Sequence, residues 1–357
     1  MEEKVGFLQR KNIEFSVKRY VVDALSAMAL GLFSSLLIGL ILKTVGEQLC
    51  RIPGVDEKTW FVAFLVTVGG VAMQLMGPAI GVAVAHALKA PPLVLFSCVI
   101  VGYMGATFTG FGIEANGGPA GCFVAVCFAA EFGKMVSKET KVDIIVTPAV
   151  TLIVGGAVAK LIGPFVGWLM VKLGDAIIAA TEWQPLWFGI FVAVAVGLAL
   201  TAPISSAALC MMMQLSGLAA GAATVGCCAQ MVGFAVISFR ENGVGGLVAQ
   251  GIGTSMLQVS NIIKHPQILI PLTLAGAILG PVSTCILKMT NNDAGAGMGT
   301  SGLVGQLMTF TDMGFTVPVL IEVVMMHFVL PAVISLGIYQ AMKKMGIVKD
   351  EYLHLDL

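Results

Sequence analysis

Residues 21–45 have the sequence V-V-D-A-L-S-A-M-A-L-G-L-F-S-S-L-L-I-G-L-I-L-K-T-V, an apolar run with one acidic and one basic side chain. About 20 apolar residues in a helix cross the hydrocarbon core of a bilayer, so this run is long enough to span a membrane. The whole chain of 357 residues is similar, with 57% hydrophobic and 11% charged residues. A soluble domain carries roughly 25% charged residues. So few charges cannot cover a water-facing surface, and the sequence therefore predicts a membrane protein.

Apolar runs of comparable length recur along the chain and predict an all-α polytopic membrane protein with about ten transmembrane helices. Two of them, 118–135 and 243–259, are short or rich in glycine and favour re-entrant or broken helices. The stretch 291–312 is too polar to face lipid, and such backbone is tolerated at membrane depth only inside protein or along a cavity. We therefore expect a re-entrant segment at 291–312. The predicted spans are 21–45, 60–86, 92–112, 118–135, 144–171, 186–209, 216–238, 243–259, 266–288 and 317–342.

Basic residues are unevenly distributed among the predicted loops, and they set the predicted orientation. Lysine and arginine are concentrated in residues 1–20, in alternate loops and after residue 342. The positive-inside rule places such segments in the cytoplasm, so we expect cytoplasmic tails at 1–20 and 346–357. Over the chain, 20 Lys and Arg balance 20 Asp and Glu. No basic face is left for nucleic acid, so the lipid bilayer and not a nucleic acid is the expected environment.

Two halves of the sequence resemble each other, and we predict transmembrane repeats at 21–180 and 186–345. The clearest match aligns one glycine- and glutamine-bearing motif with another at a constant offset. Inverted repeats are typical of secondary transporters, whose substrates bind near the repeat interface. The alternative is coincidence in a chain rich in glycine and alanine. The aligned residues are Gly70, Gln74, Gly77 and Ala79 in the first half and Gly226, Gln230, Gly233 and Ala235 in the second.

A second recurrence is the five-residue pattern G-x-G-T-S at 251–255 and 297–301. Glycine permits tight turns, and Thr or Ser at a helix start caps the free backbone amides. A helix N-terminus of this kind attracts polar or anionic groups. The two segments therefore predict a substrate site, or alternatively two packing seams between helices. The candidate site residues here are Gly253, Thr254, Ser255, Gly299, Thr300 and Ser301.

Carboxylates beside amides and glycines form a second group of candidates. Glu114 precedes Asn116, Gly117 and Gly118, and a similar turn occurs at 241–243. Ionisable groups at membrane depth are costly and tend to be functional, and a carboxylate next to an amide suits sugar hydroxyls. The alternative is an exposed loop. The second turn contributes Glu241 and Asn242 as candidates, and Gln74 and Gln230 add matching amides that are either substrate contacts or links between helices.

The last predicted span contains Glu322 and His327 within one apolar run. A spacing of five residues separates their side chains by roughly 140° on an α-helix, so they do not form a close pair. Histidine titrates near neutral pH, which makes both residues candidates for proton coupling. The alternative is a hydrogen-bonded interior histidine. We recognise no catalytic or metal-binding pattern and expect no cofactor.

Three motifs carry a resemblance to a known family: E-x-N-G-G-P-A-G at 114–121, R-E-N-G-V-G-G-L-V-A-Q-G-I-G-T-S-M-L-Q at 240–258 and N-D-A-G-A-G-M-G-T-S-G-L-V-G-Q at 292–306. As a set they resemble the EIIC-like membrane proteins of the bacterial phosphotransferase system, over nearly the whole chain. The resemblance implies a multi-pass permease in the bacterial inner membrane, a homodimer and a sugar or sugar-like substrate.

The resemblance also implies separate IIA and IIB proteins, which relay phosphate through His and Cys. This chain shows no such domain, and its Glu and His candidates do not match the sugar-contacting residues of the family one to one. The first functional hypothesis is a transporter that moves a small polar solute by alternating access. The alternative is a membrane sensor or regulator that binds a small ligand and signals to a partner.

Overall fold

The computed structural model describes residues 6–50, 56, 58–110, 113–202 and 204–355, with the backbone alone at 113–115. The chain forms two compact units, Met1–Val171 and Lys172–Leu357. Helices make up most of the described residues, and several are long and apolar enough to cross a membrane. The protein is therefore an all-α polytopic membrane protein, as its composition predicts.

Most of the helices that begin in the first unit are long, and a two-stranded antiparallel hairpin connects two of them. The hairpin consists of β1 (Thr109–Gly110) and β2 (Ile113–Asn116). π-helical turns at Lys18–Ala24 and Phe33–Leu37 make residues 18–49 one continuous helix. The α-helices are α1 (Phe7–Arg10), α2 (Leu25–Leu32), α3 (Ile38–Leu49), α4 (Trp60–Gln74), α5 (Met76–Ala87), α6 (Pro92–Thr107), α7 (Gly118–Val136), α8 (Asp143–Leu161) and α9 (Gly163–Trp183).

The structure corrects the predicted span 144–171, which is two helices and not one. Helix α8 ends at Leu161, and α9 begins two residues later at Gly163. Pro164 lies in the first turn of α9, where its missing N–H leaves no hydrogen bond unmade. The same residue inside a continuous helix would remove a backbone bond and clash with the preceding turn. The stretch that hydropathy predicts as one span is therefore two helices, although Pro148 lies inside α8 without ending it.

The second unit contains more short helices than the first. Its α-helices are α10 (Pro185–Thr201), α11 (Ser206–Met213), α12 (Gly217–Ile237), α13 (Phe239–Val248), α14 (Val259–Lys264), α15 (Ile270–Pro281), α16 (Asp293–Ala296), α17 (Val304–Met313), α18 (Val317–Val324) and α19 (Leu330–Lys344). π-helical turns occur at Ala249–Gly253, Val282–Leu287 and Met325–Val329. Turns of 3₁₀-helix occur at Ser255–Gln258, Pro266–Leu269, Ser301–Leu303 and Asp350–Leu353.

Within the described residues, seven helical segments pass a length and hydropathy test for membrane spans, and the pair α4–α5, bent by 53°, raises this to as many as eight. Helices α6 and α10 are apolar but shorter, so the predicted spans 92–112 and 186–209 extend beyond the helices found there. The predicted span 243–259 is not among the candidates. Gly243 has φ +57° and interrupts the helix, and short turns follow it. That the two halves are duplicated repeats stays a prediction.

Helix α12 forms the core of the second unit, with α10, α15 and α19 packed around it. Its apolar window is 94% buried, the largest share of any candidate span. Small residues make this possible because they let helix backbones approach closely. At Gly226 the backbone carbonyl of Ala193 lies so near that a Cβ atom would overlap it.

The segment 291–312 folds back on itself as the short helices α16 and α17, which pack against each other. The buried amide of Asn291 donates to Thr224 Oγ1 at 2.8 Å, to Thr309 Oγ1 at 3.0 Å and to the Gly305 carbonyl at 3.1 Å. The bond to Thr224 holds the start of the segment to α12, and the bonds to Thr309 and Gly305 tie it to α17 within the same segment. Its polar backbone is therefore buried in protein, as the composition of this stretch requires.

Candidate functional site

The two G-x-G-T-S segments lie next to each other in the second unit. The π-helical turn Ala249–Gly253 packs against the 3₁₀ turn Ser301–Leu303, although 48 residues separate the end of the first turn from the start of the second. Thr254 Oγ1 accepts a hydrogen bond from the Met256 amide at 3.1 Å and so caps the turn that follows. Thr300 caps nothing, and its hydroxyl donates to Met231 Sδ of α12 at 3.6 Å. The threonine therefore caps a turn in the first segment, whereas in the second it contacts α12.

We call the two G-x-G-T-S segments, 251–255 and 297–301, the first and the second tip. The second tip packs against α12 in a backbone conformation that only glycine adopts easily. Gly299 has φ +54°, and a Cβ at this position would lie 2.8 Å from the backbone carbon of Cys227. A larger side chain would meet both steric and conformational penalties. Of the other candidate glycines in these segments, Gly253 has open space around it. Ser301 lies half-buried in the 3₁₀ turn.

Ser255 of the first tip belongs to a group of buried and half-buried hydroxyl and amide side chains, which we call the α12 polar cluster: Thr201, Gln230, Ser255 and Thr273. The Thr201 hydroxyl is 2.9 Å from Ser255 Oγ and 3.3 Å from Gln230 Oε1. Gln230 Nε2 donates to Thr273 Oγ1 at 3.4 Å. Thr201, Gln230 and Ser255 are each no more than 2% exposed. The cluster carries no formal charge, so its chemistry is recognition through hydrogen bonds.

Gln230 and Ser255 are sequence-predicted site residues, and the structure brings them together through Thr201. Thr201 ends α10 and Thr273 lies early in α15, so three separate helices and one tip contribute to the cluster. The sequence analysis missed both threonines. Their signal was only a hydroxyl in an apolar span, which more often bonds to the carbonyl four residues earlier in its own helix.

The two predicted glutamines have different environments. Gln230 is buried in the middle of α12, whereas Gln74 is exposed at the end of α4, next to the bend that precedes α5. Within the described part of the chain, the Gln74 side chain makes no hydrogen bond. The amide of Gln230 therefore has polar neighbours that Gln74 lacks.

Asn242 is engaged by the C-terminal residues of the chain. Its Nδ2 donates to the Leu353 carbonyl at 2.8 Å, and its Oδ1 accepts from the Leu355 amide at 2.8 Å. Gln258 Nε2 also donates to the Leu353 carbonyl, at 3.0 Å. Glu241 lies half-buried beside this contact, at the start of α13. Both ends of the Asn242 amide are thus occupied by the tail that the sequence analysis treats as a separate cytoplasmic segment.

The docked tail continues through stacked rings and an ion pair. The rings of His265 and Tyr352 lie 3.8 Å apart, nearly parallel. Asp350 accepts a hydrogen bond from the Tyr339 hydroxyl at 2.8 Å and forms an ion pair with Lys343. Lys343 holds the pKa of Asp350 below its ordinary value. A carboxyl group with a lowered folded pKa stabilises the docked state above its unfolded pKa, and this stabilisation is lost as the pH falls through the folded value.

We expect Asp350→Asn to loosen the tail at neutral pH. Hydrogen exchange at residues 350–355 should become about fivefold faster, since a partly exposed ion pair contributes up to about 1 kcal/mol. In the native protein this protection should stay constant from pH 7 to pH 5, and the same fivefold increase should appear only below the ordinary Asp350 pKa of 3.8. Glu351→Gln is the matched control because Glu351 is exposed and makes no described contact. Equal exchange in the two variants would contradict this account.

In the first unit, the candidates at 114–118 lie at the end of the hairpin. The Glu114 side chain falls outside the described residues, so its environment stays a prediction. Asn116 is exposed, and Gly118 has φ +55° at the start of α7. Gly117 packs against the Gly105 carbonyl. Lys160 of α8 donates to the carbonyl of Thr109 at 2.7 Å and so fastens the other strand of the hairpin.

Glu322 and His327 make no hydrogen bond or ion pair with each other within the part of the chain that the structure describes. His327 Nδ1 lies 3.1 Å from Nε2 of Gln306, which also approaches Cys228 Sγ of α12 at 3.4 Å. Glu322 Oε2 is buried without a hydrogen-bond partner. The histidine is thus a buried, hydrogen-bonded group, and its part in proton coupling stays a prediction.

Among the described residues, no group of three His, Cys, Asp or Glu side chains is placed to bind a metal ion. The polar side chains that the second unit brings together around α12 and the two tips are neutral hydroxyls and amides. These are suited to binding an uncharged polar molecule through hydrogen bonds.

Comparison with known proteins identifies the family. A family model described as "Phosphotransferase system, EIIC" matches residues 22–355. A search of curated proteins and a search of solved structures each found no match to this chain. The family match includes the tips, α12 and the docked tail. The chain therefore belongs to the EIIC family of phosphotransferase-system membrane proteins.

Proposed function

We propose that the protein is a permease that moves a small polar solute, a sugar or sugar-like compound, across the bacterial inner membrane by alternating access. Family membership supports a sugar-type permease of the phosphotransferase system. The observation that carries the finer proposal is the α12 polar cluster. A buried set of hydroxyl and amide groups without formal charge is complementary to the hydroxyl groups of an uncharged solute.

The hydrogen bonds of Gln230 support this role because they are long. They measure 3.3 and 3.4 Å, whereas an N–H···O bond usually spans 2.7–3.2 Å and an O–H···O bond is shorter still. Bonds of this length are weak and are readily exchanged for bonds to a solute hydroxyl. A cluster that served only to hold helices together would gain from shorter, better-aligned bonds.

The two tips supply the rest of the proposed site. Gly253 has no atom near the position of its absent Cβ, which leaves room for a ligand or for backbone movement. Thr254, Thr300, Gly299 and Ser301 would complete the polar lining. The other predicted site residues stay sequence-based predictions that do not rest on the α12 polar cluster: Gln74, Glu114, Asn116, Gly117, Gly118, Glu241 and Asn242. Coupling through Glu322 and His327 stays part of the proposal.

The proposal includes separate IIA and IIB proteins as the phosphate donors, as family membership suggests, and a homodimer as the functional form. It is tested with purified protein in liposomes. Radiolabelled hexoses, hexitols and pentitols are added outside the liposomes. The liposomes are either empty or filled with a cytosolic extract that contains the phosphotransferase proteins. Saturable uptake of one of these solutes supports the proposal. Failure of every solute under both conditions contradicts it.

Thr201→Val is expected to reduce uptake about tenfold. The substitution keeps the size of the side chain and removes the hydroxyl that contacts Gln230 and Ser255. Loss of a hydrogen bond of this kind costs about 1 kcal/mol or somewhat more. Initial uptake rates measure the effect. Thr151→Val is the matched control, since the buried Thr151 hydroxyl bonds only to its own helix at the Thr147 carbonyl. Similar losses in both variants would argue against a site at α12.

Ligand sensing is the second candidate, and the docked tail is the observation that favours it. Residues 350–355 are held by Asn242, Gln258 and Asn261, so a ligand that moves the 239–265 segment would also move the tail. A solute that changes hydrogen exchange in the tail without being taken up would favour this role over transport.

A further inference from the structure

A basic cavity of about 420 Å³ opens on the first unit, at some distance in sequence from every residue assigned above to solute binding. Its charged lining consists of five cationic side chains and one carboxylate. These are Arg10, Lys11, Lys89, Lys134, Lys138 and Glu139. The excess of positive charge is local, because the chain as a whole has no net charge.

Three of the cations are already partnered. Arg10 and Lys11 share the carboxylate of Glu139, and buried Lys134 forms an ion pair with Glu131 at 2.8 Å. The ammonium groups of Lys89 and Lys138 make no hydrogen bond or ion pair within the described residues. The Asp143 carboxylate accepts a hydrogen bond from the Lys138 backbone amide at 2.6 Å and so compensates part of the charge there, whereas Lys89 has no carboxylate partner among the described residues. The cavity therefore keeps an excess of positive charge, most clearly at Lys89.

The backbone holds both free lysines in an unusual conformation. Lys89 has φ +56° and follows the end of α5, and Lys138 has φ +60° and follows the end of α7. Residues other than glycine are uncommon in this left-handed region, and such conformations are frequent at ligand sites. Glycine or asparagine would adopt this conformation after a helix end at a lower free-energy cost. Lys288 adopts the same conformation at the end of a helical turn outside this cavity, so the location of Lys89 and Lys138 at the cavity, and not their conformation alone, points to an anion.

The cavity is preformed, because the N-terminal segment is fixed to the helices that line it. Arg19 donates to the Asn12 carbonyl at 2.6 Å and to the Leu88 carbonyl at 2.8 Å. Lys134 donates to the same two carbonyl oxygens at 3.0 Å each. Two buried cations thus join residue 12 to the end of α5. A ligand therefore needs to order few side chains when it binds, so binding costs little conformational entropy.

We propose that this cavity binds the phosphate group of an anionic phospholipid. The N-terminal segment that contributes Arg10 and Lys11 to the cavity also exposes large apolar side chains, at Phe7, Leu8, Phe15 and Val17. The Phe7 ring lies 5.4 Å from the Arg10 guanidinium and 5.8 Å from the Lys11 ammonium. Basic groups with adjacent exposed apolar side chains are typical of a segment lying in the membrane interface.

The position of the lysines favours a lipid over a dissolved phosphate ion. Helix α7 and the pair α4–α5 are candidate membrane spans, and Lys138 and Lys89 come directly after their ends. The ends of spanning helices lie near the headgroup region, where basic pockets bind lipid phosphates. A free phosphate ion would make no use of the exposed Phe7, Leu8, Phe15 and Val17.

The experiment measures the unfolding midpoint of the full chain in detergent while short-chain phosphatidylglycerol is titrated into the micelles. We expect the midpoint to rise, and the rise to weaken in high salt. Phosphatidylcholine of the same chain length and inorganic phosphate should have no comparable effect. The double variant Lys89→Gln/Lys138→Gln should need about thirtyfold more phosphatidylglycerol for a half-maximal shift, since each lysine near the surface contributes about 1 kcal/mol.

Two further variants keep the result interpretable. Lys264→Gln/Lys344→Gln removes two exposed lysines at the ends of α14 and α19 and should leave the titration unchanged. Lys89→Arg/Lys138→Arg keeps both charges and should retain binding. The proposal is overturned by an equal shift with inorganic phosphate alone, by no shift with phosphatidylglycerol, or by unchanged binding in the Lys89→Gln/Lys138→Gln protein.

Discussion

Gly226→Ala is expected to destabilise the protein by about 3 kcal/mol or more, at the upper end of the cost of inserting a methyl group into a packed core. The added Cβ would overlap the backbone carbonyl of Ala193, and backbone has no rotamer through which to move away. Helices α10 and α12 would have to separate. Since α12 is the core of the second unit, this separation would disturb every helix packed around it.

The unfolding midpoint in detergent measures the effect, and Gly276→Ala provides the matched control. Gly276 also lies in a helix of this core, but the nearest atoms to its Cβ position are 3.7 Å away, at Ala229 and Gly226. Because alanine favours a helix over glycine by up to about 1 kcal/mol, we expect this midpoint to stay the same or rise slightly. Equal losses in both variants would mean that the close contact between α10 and α12 is not the cause of the loss in Gly226→Ala.

The membrane class and most of the long helices were predictable from the sequence, because hydropathy is a property of each stretch by itself. The predicted span 216–238 differs from α12 by one residue at each end. The errors occurred where average hydropathy and glycine content were poor guides to helix ends. The predicted span 144–171 is divided at 162–164, and 118–135, predicted as re-entrant or broken, lies in the continuous helix α7. At 243–259, also predicted as re-entrant or broken, the structure has a break at Gly243 followed by short turns.

The neighbours of the candidate site residues were only partly predictable. Repetition of G-x-G-T-S singled out two segments that do pack together, and the repeat match singled out Gln230. Thr201 and Thr273 could not be identified, since their meeting with Gln230 depends on how α10, α12 and α15 pack. The partner of Asn242 could not be predicted either, because Leu353 lies 111 residues further along the chain.

Gln230→Leu is expected to reduce uptake of the transported solute by about thirtyfold or more. Leucine has a similar size but offers neither the donor nor the acceptor of the amide. If the solute hydroxyls replace Thr201 and Thr273 as the partners of Gln230, two hydrogen bonds of about 1 kcal/mol or more each are lost. Thr201 and Ser255 can still bond to each other at 2.9 Å, so the fold should survive.

Initial uptake rates, normalised to the amount of reconstituted protein, measure this loss, and the unfolding midpoint of each variant shows whether the fold is affected. Gln74→Leu is the matched control, because the sequence aligns Gln74 with Gln230 whereas the structure leaves Gln74 exposed. We expect the control to keep uptake within about twofold, since an exposed polar group contributes little. If Gln74→Leu abolishes uptake and Gln230→Leu does not, the solute site lies in the first unit, and the α12 polar cluster is only a link between helices. A loss confined to Gln230→Leu, with an unchanged midpoint, would instead assign the solute contact to α12, because a purely structural amide would lower the midpoint as well.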